Sequence, residues 1–469
     1  MTRPQRATRI PLLAATVLTL LIGGAVEAQV GGVLIDPEGA IQIVPARSRA
    51  ATRPVAADRV VRTVSLRRLL ETLAARDGDP TFTESRLAGL TRVDAVEITA
   101  DDVRLVGEAI DPDTLQKQLE AVARESKLDA AAAVDASLFA ARPVPSTLWL
   151  EDLAYALEHV AAGRGPIGCS IDETPDGMRR LQQAIRANSR PTSAASAAAR
   201  YPAWANVLGD QDVTIFGLPE DSHAAIVTVV ADVRLKRIAL GVDASGVRPV
   251  KSQLDLLRPQ GNSVQRWWFT PQYDPIAVGV TEDGVTEDGV TEDGVTEDGV
   301  TEDGVTRYEL SGPRLKVLAQ EEVVGADGRS DDAAGTRRST QAFAKLFTAN
   351  MDAVAARHPA VDALQDLSDA FMVAGLLLRH ERDRPDGSQP LGWDVLAAVR
   401  AANISRTTWT VPKTIATQAN AKRAGRSVVG LLGGVKMTPH AMPGEAGFAD
   451  AATKEGNSRL DGTDGWFSE

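Results

Sequence analysis

Residues Val280–Gly304 repeat the pentapeptide VTEDG five times, and no packed element can readily use such a segment. A helix would bury a glycine in every repeat, each costing about 1 kcal/mol against alanine, beside β-branched threonines and crowded like charges. In a strand, a five-residue period falls out of step with the two-residue alternation of side chains. Successive valines then face opposite sides, and neither face can be buried. The array is therefore expected to form a solvated, self-repelling acidic loop, spanning roughly 25–30 Å as flexible coil. Its Glu and Asp supply most of the formal net charge of −12, so the rest of the chain is nearly balanced and no nucleic-acid partner is expected. Placing Gly289 at the glycine position of a calcium-binding loop leaves Gly284, Thr286 and Asp288 at the ligand positions, which is too few carboxylates. No metal and no cofactor are expected.

Near the amino terminus, Arg3, Arg6 and Arg9 precede the apolar run Ile10–Gly23, and Val26 and Ala28 set small residues before Gln29. This order predicts a Sec-type signal peptide over residues 1–28, with an apolar run short for a membrane span. The mature chain is expected to be exported, periplasmic or secreted, with no transmembrane segment and with a partner in the envelope or outside the cell. Cys169 is the single cysteine, so an exported body has no internal disulfide and must rely on the size of its core. With 4% aromatic residues, that core is mostly Ala, Val and Leu.

Periodicity predicts an α+β fold: a mixed strand-helix core with hairpins, then an αα-hairpin and a C-terminal tail over 383–469 that is mostly irregular or disordered. The N-terminal α+β region, 29–165, contains a hairpin over Gly31–Val44, a linker over 45–58 and a helix over Ser65–Ala75. Strands at Val93–Ile98 and Val103–Gly107 and helices at Thr114–Glu125 and Thr147–Ala161 complete it. The central region, 166–325, reads as a strand at Ile167–Ile171, a helix at Pro175–Ala187 and a hinge at Ser189–Ala198. A strand at Val213–Phe216, a long helix at Asp221–Leu240 and strands at Val264–Thr270, Tyr308–Leu310 and Leu315–Leu318 follow. After a polar linker at Gly325–Thr340, helices at Thr340–Arg357 and Val361–Arg379 form the helical hairpin of 340–382, and 383–469 lacks a clear apolar period.

Zinc-protease, hydrolase-elbow, dinucleotide and phosphate-loop signatures are absent from the sequence. The catalytic candidates are therefore Cys169, at the end of a predicted strand, and His223, at the start of a helix, where a thiol and its base could meet at one sheet edge. The same residues fit a buried strand cysteine and a polar histidine in a first helical turn. Arg234, Lys236 and Arg237 are candidate anion ligands; the alternative is a solvated helix face on which Asp232 and Lys236 pair. Trp267 and Trp268 are candidates for stacking on a ligand, because adjacent strand residues point to opposite sides and one ring can stay exposed; the alternative, and the expected reading, is a strand buried on both faces.

The segments IGCSIDETPDGMRRL (Ile167–Leu181), DSHAAIVTVVADVRLKRIALGV (Asp221–Val242) and RWWFTPQYDPI (Arg266–Ile276) resemble blocks of a family of secreted planctomycete proteins known only as a domain of unknown function. Gly31–Asp36, Leu66–Leu70 and Leu87–Val93 extend the resemblance. It implies export but assigns no activity, ligand or residue role. Ala224, Ala225 and Val233 stand where larger residues are expected, and the VTEDG array fits an insertion in a hairpin loop between Ile276 and Tyr308. The expected function is that of a non-catalytic binding or structural protein of the cell envelope, with a hydrolase-like enzyme using Cys169 and His223 as the alternative. Deleting four of the VTEDG copies is expected to leave the melting temperature nearly unchanged in scanning calorimetry; a fall of several degrees would show that the array packs.

Overall fold

Antiparallel pairing between strands far apart in sequence organises the chain into an α+β fold. The structure, a computed structural model, describes residues 32–35, 41–44, 60–76, 79–126, 144–188, 193–258, 262–274, 277–282, 285–286, 305–324, 329–332, 335–382, 394–424 and 427–437. The expected signal peptide, the 45–58 linker, most of the acidic array and residues 438–469 lie outside them.

Strands β1 (Gly32–Ile35) and β2 (Ile41–Val44) pair as the expected hairpin. Strand β3 (Val60–Ser65) runs straight into helix α1 (Leu66–Ala74), where the Ser65 hydroxyl accepts from the Arg68 N–H and Leu66, Leu70 and Leu73 are buried. Burying each such leucine is worth about 1.5–3 kcal/mol. Strands β4 (Ala95–Ile98) and β5 (Val103–Ala109) follow, then helices α2 (Pro112–Ser126) and α3 (Leu150–Ala161).

The central region begins with β6 (Gly168–Glu173) and α4 (Pro175–Ala187), whose Thr174 cap and first-turn Pro175 match the sequence signal. The second half of the expected hinge is instead the start of helix α5 (Ala194–Leu208), and residues 189–192 lie outside the described residues. Alanine is the best helix former, and Ala197, Tyr201, Trp204 and Leu208 bury one face despite Pro202 within the helix. Strand β7 (Gln211–Phe216) leads to α6 (His223–Ala239), capped by Ser222. Helix α6 is buried on nearly every side, so its polar residues are not a solvated face.

Strands β8 (Ser263–Gln272), β9 (Ala277–Glu282), β10 (Val285–Thr286), β11 (Thr306–Glu309) and β12 (Arg314–Val324) follow. The acidic array was expected to be loop throughout, yet β9 takes in part of its first copy and β10 part of its second. Strand β9 pairs antiparallel with β11, with Val280 opposite Thr306, so the rest of the array connects two paired strands, as an insertion in a hairpin loop should. Strand β13 (Ser330–Asp332) lies within the expected polar linker. The first helix of the expected helical hairpin is broken into α7 (Arg338–Thr348) and a short turn, Met351–Ala355, before the long helix α8 (Pro359–Arg382).

The largest correction concerns the tail. Helix α9 (Val395–Ala402) and strands β14 (Thr414–Ile415), β15 (Ala419–Ala424), β16 (Ser427–Leu432) and β17 (Val435–Met437) are integral to the fold. Val428, Val429, Leu431 and Leu432 are buried, and Gly430 is required because a Cβ there would stand 2.1 Å from the Tyr201 ring. The sheets run β10-β9-β11-β4-β5-β3, β13-β12-β8-β17-β16-β15 and β14-β7-β6. No helix of the described residues is long and apolar enough to cross a membrane.

Helix α8 ties these parts together through charge. Buried Arg314, at the start of β12, sends its guanidinium to Asp369 Oδ2 at 3.2 Å, Asp366 Oδ1 at 3.5 Å and Gln365 Oε1 at 3.2 Å. Asp369 also accepts from the Val93 N–H at 3.0 Å and the Tyr273 hydroxyl at 2.6 Å. Burial, reinforced by neighbouring Asp362, pushes the Asp366 carboxyl well above the ordinary carboxylate range. Replacing Arg314 with Met leaves Asp369 without its cation and is expected to cost about 3–5 kcal/mol of stability in urea unfolding. A loss below the uncertainty of the extrapolation would show that the knot is dispensable.

Candidate functional site

Strand β6 forms one edge of its three-stranded sheet, and β8 pairs with β17 only at Ser263 and Val264. Beyond Val264 the two strands face each other across a cavity of about 620 Å³, walled by residues 167–173 on one side and 265–271 on the other. Helix α6 contributes Thr228, Asp232 and Lys236, four residues apart along one face, and α8 contributes Leu364, Leu367, Ser368 and Phe371. Two apolar rings at the cavity remain solvent-exposed, Phe216 at 41% and Trp268 at 37%.

Four residues singled out in the sequence, Cys169, Lys236, Trp267 and Trp268, line this cavity. Cys169 is half-buried on β6 and packs beside Ile171, Val229 and Val233. Burial, with Asp232 nearby, pushes its thiol well above the ordinary range, which keeps it protonated and a poor nucleophile. Lys236 Nζ donates to the Ile171 carbonyl. Trp267 is buried, edge-on to Phe343 at 6.2 Å, and its Nε1–H has no acceptor among the described residues. The pair divides as alternation requires, one ring inside and one exposed.

The remaining candidates lie elsewhere. His223 Nδ1 sits 2.6 Å from Asp152 Oδ2, and the imidazole lies against Trp149 at 4.1 Å and Trp409 at 5.0 Å between ring centroids. Asp232, the charged neighbour of Cys169, is nine residues further along α6 than His223, about 13 Å at the helical rise. The fold therefore does not bring the thiol and the imidazole together. Arg234 and Arg237 are also buried rather than open to an external anion. Arg234 Nη1 meets Asp243 Oδ2 at 2.6 Å, while Arg237 holds both Asp243 oxygens at 2.8 Å. Burial pushes the Asp243 carboxyl up, but the two guanidiniums overcome it and hold the group below its usual range.

Asp232 is the residue that the sequence pattern hid. The expected surface pair with Lys236 is replaced by a carboxylate only 9% exposed that lines the cavity and accepts no hydrogen bond from the described residues. Burial raises its carboxyl to about 6, against the opposing pull of Lys236. Its spacing from Thr228 and Lys236 was readable, but its burial depended on strands from two other parts of the chain. No group of three or more His, Cys, Asp and Glu placed to hold a metal occurs among the described residues.

The fold and the site thus define an α+β protein with an aromatic-lined cavity between two sheet edges. Residues 169–253 match the family model of a protein of unknown function, DUF1598. The match begins at Cys169 and covers most of the β6 wall and the α6 floor, while the β8 wall lies outside it. No curated protein and no solved structure was found to match the chain.

A raised carboxyl means that the folded protein holds the Asp232 proton more tightly than the unfolded chain does. Its contribution to stability is present at and below about pH 4 and is lost as the pH rises through 6, the value to which burial raises the group. Between about pH 4 and pH 7 the wild type is expected to lose stability relative to Asp232→Asn, by on the order of 3 kcal/mol. Urea unfolding of both proteins across that range measures the difference, and parallel curves would place the carboxylate in water.

Proposed function

We propose that the protein is an exported, non-catalytic binding protein of the cell envelope whose ligand occupies the cavity between β6 and β8. One observation carries this reading: Cys169 of β6, Lys236 of α6 and Trp267 and Trp268 of β8 line a single cavity of about 620 Å³. That volume falls within the roughly 300–1,000 Å³ of ligand sites, which are commonly apolar and carry a few placed polar groups. The walls here combine Phe216, Trp268 and Phe371 with the unpartnered carboxylate of Asp232. Export is supported by the arginine-rich, apolar, small-residue order of residues 1–28.

The hydrolase alternative receives no comparable support. The Cys169 thiol is held in its protonated form, and the His223 ring is occupied by Asp152 at the far end of α6.

A neutral environment-sensitive dye, N-phenylnaphthylamine, tests the binding reading. It is expected to brighten on mixing with the protein and to quench tryptophan emission. Trp268→Ala and Ser170→Trp, one removing an aromatic wall and one obstructing the cavity, should each weaken it by about tenfold. Equal dye binding by the wild type and both variants overturns the site. Recovery of the processed chain from the periplasm or the medium is expected, and the intact chain in the cytosol overturns the export.

A further inference from the structure

We propose that the cavity is a strand-sized slot whose occupant is an extended polypeptide segment, pairing its main chain with the free edges of β6 and β8 and reaching Asp232 with one basic side chain. The proposal rests on the binding reading above and names the class of ligand.

Backbone geometry supports it first. The Val213 N–H donates to the Lys413 carbonyl at 2.9 Å, on the β14 side, so Val213 and its β6 partner Ile171 form a pair without ladder hydrogen bonds. Backbone groups of Ile171, and by alternation those of Cys169, therefore point away from β7 into the cavity. On the opposite wall, the Gln265 N–H donates to the Gly434 carbonyl at 2.6 Å, away from β12. The same alternation turns the backbone groups of Trp267 and Phe269 toward β6. Pro271 obeys it too: its missing N–H falls on the cavity side, where it interrupts no ladder bond to β12.

The width follows from the chain's own occupation of one end. Gly434, just before β17, accepts from Gln265 of β8 and donates to Glu173 Oε1 of β6 at 2.5 Å, so one main chain already fits between the two walls there. Beside it Arg266 reaches Asp172 across the gap at 2.5 Å. Glu173 opposite Gln265 and Asp172 opposite Arg266 fix the two edges as antiparallel. Each wall is about six residues, or roughly 20 Å, of strand. A strand inserted there would join β13-β12-β8 to β6-β7-β14 in one continuous sheet.

Charge selects the occupant. Arg266 is paired with Asp172 and Glu322, and Lys236 is engaged by the Ile171 carbonyl. Among the described residues, Asp232 alone of the cavity's carboxylates accepts no hydrogen bond, so a side chain entering from an added strand meets an acceptor without a donor from them. A lysine or arginine directed at the α6 floor supplies that donor.

Hydrogen exchange by NMR tests this with a capped seven-residue peptide of alternating valine and threonine around a central lysine. Bound peptide is expected to slow exchange at the Cys169, Ile171, Trp267 and Phe269 amides. Ser170 and Trp268, already paired with β7 and β12, should not change. N-methylating alternate amides of the peptide should weaken binding about tenfold, and Asp232→Asn should weaken the lysine peptide about tenfold while sparing a valine-centred one. Dye bound in the cavity with no amide protection from either peptide overturns the strand proposal and leaves the binding reading standing. Binding of neither dye nor peptide overturns both. Equal affinity of the N-methylated peptide overturns main-chain pairing.

Discussion

The knot around Arg314 is the interaction on which the rest of the molecule depends. Its backbone adopts φ of 60°, a left-handed conformation that non-glycine residues rarely occupy, at the point where β12 begins. The guanidinium that leaves this position reaches Asp369, Asp366 and Gln365 on α8 and the Thr91 carbonyl in the N-terminal region. Three segments, one of them 223 residues before Arg314, are thus placed in register by one cation. Burying these charges brings little net stability, since their desolvation offsets most of their attraction. What the knot supplies is position. Ser368, whose hydroxyl donates to the Arg314 carbonyl at 3.2 Å, belongs to the cavity floor, and Leu315, the next residue, belongs to its lining. The strained turn and the candidate site are therefore one construction.

Two free strand edges within one molecule are a hazard that proteins ordinarily suppress, because unpaired backbone groups recruit other strands. Here the suppression is partial. Lys236 occupies the Ile171 carbonyl, Arg266 and Asp172 bridge the gap at one end, and Pro271 removes a donor near the other. Between them, the Cys169, Trp267 and Phe269 backbone groups face a space walled by protein on both sides. Such an arrangement is guarded against casual pairing from solution, yet it leaves room for one main chain between the two edges.

Local chemistry made much of the fold legible. The helix at Pro175–Ala187 was announced by Thr174 and Pro175, the helix after Ser65 by its leucines, and the hairpin position of the acidic array by its inability to pack. Where reading failed, the deciding contacts were distant. Helix α5 was hidden because serine, proline and alanine suggest a hinge until Tyr201 and Trp204 find the buried face of β16. Strand β16 was hidden because four apolar residues, split into pairs by Gly430, signify little before β15 and β17 flank them. The site suffered most. Asp232, Arg234 and Arg237 carry the pattern of a solvated helix face, and only the enclosure of α6 by β6, β8 and α8 turns them into a clamp and an orphaned carboxylate. For Trp267 and Trp268, alternation assigned the two rings to opposite faces, but the exposure of Trp268, against the expected strand buried on both faces, depended on the open gap beside β8.

Enclosure also explains why His223 belongs to the frame. The first turn of α6 is gripped by Asp152 and by the rings of Trp149 and Trp409, with Arg86 laid over Trp149 at 3.6 Å. Its last turn is held by Arg234 and Arg237, which converge on Asp243. Helix α6 is also buried along nearly its whole length, and Thr228, Asp232 and Lys236 present a floor with the regular spacing of one helix face to whatever lies between β6 and β8. Binding to a preformed surface avoids the cost of ordering it, leaving chiefly the entropy of the ligand to be overcome. The two clusters that resemble functional sites in sequence, one around a histidine and one around two arginines, therefore belong to the packing at the two ends of α6, while the open gap lies above Asp232, between them.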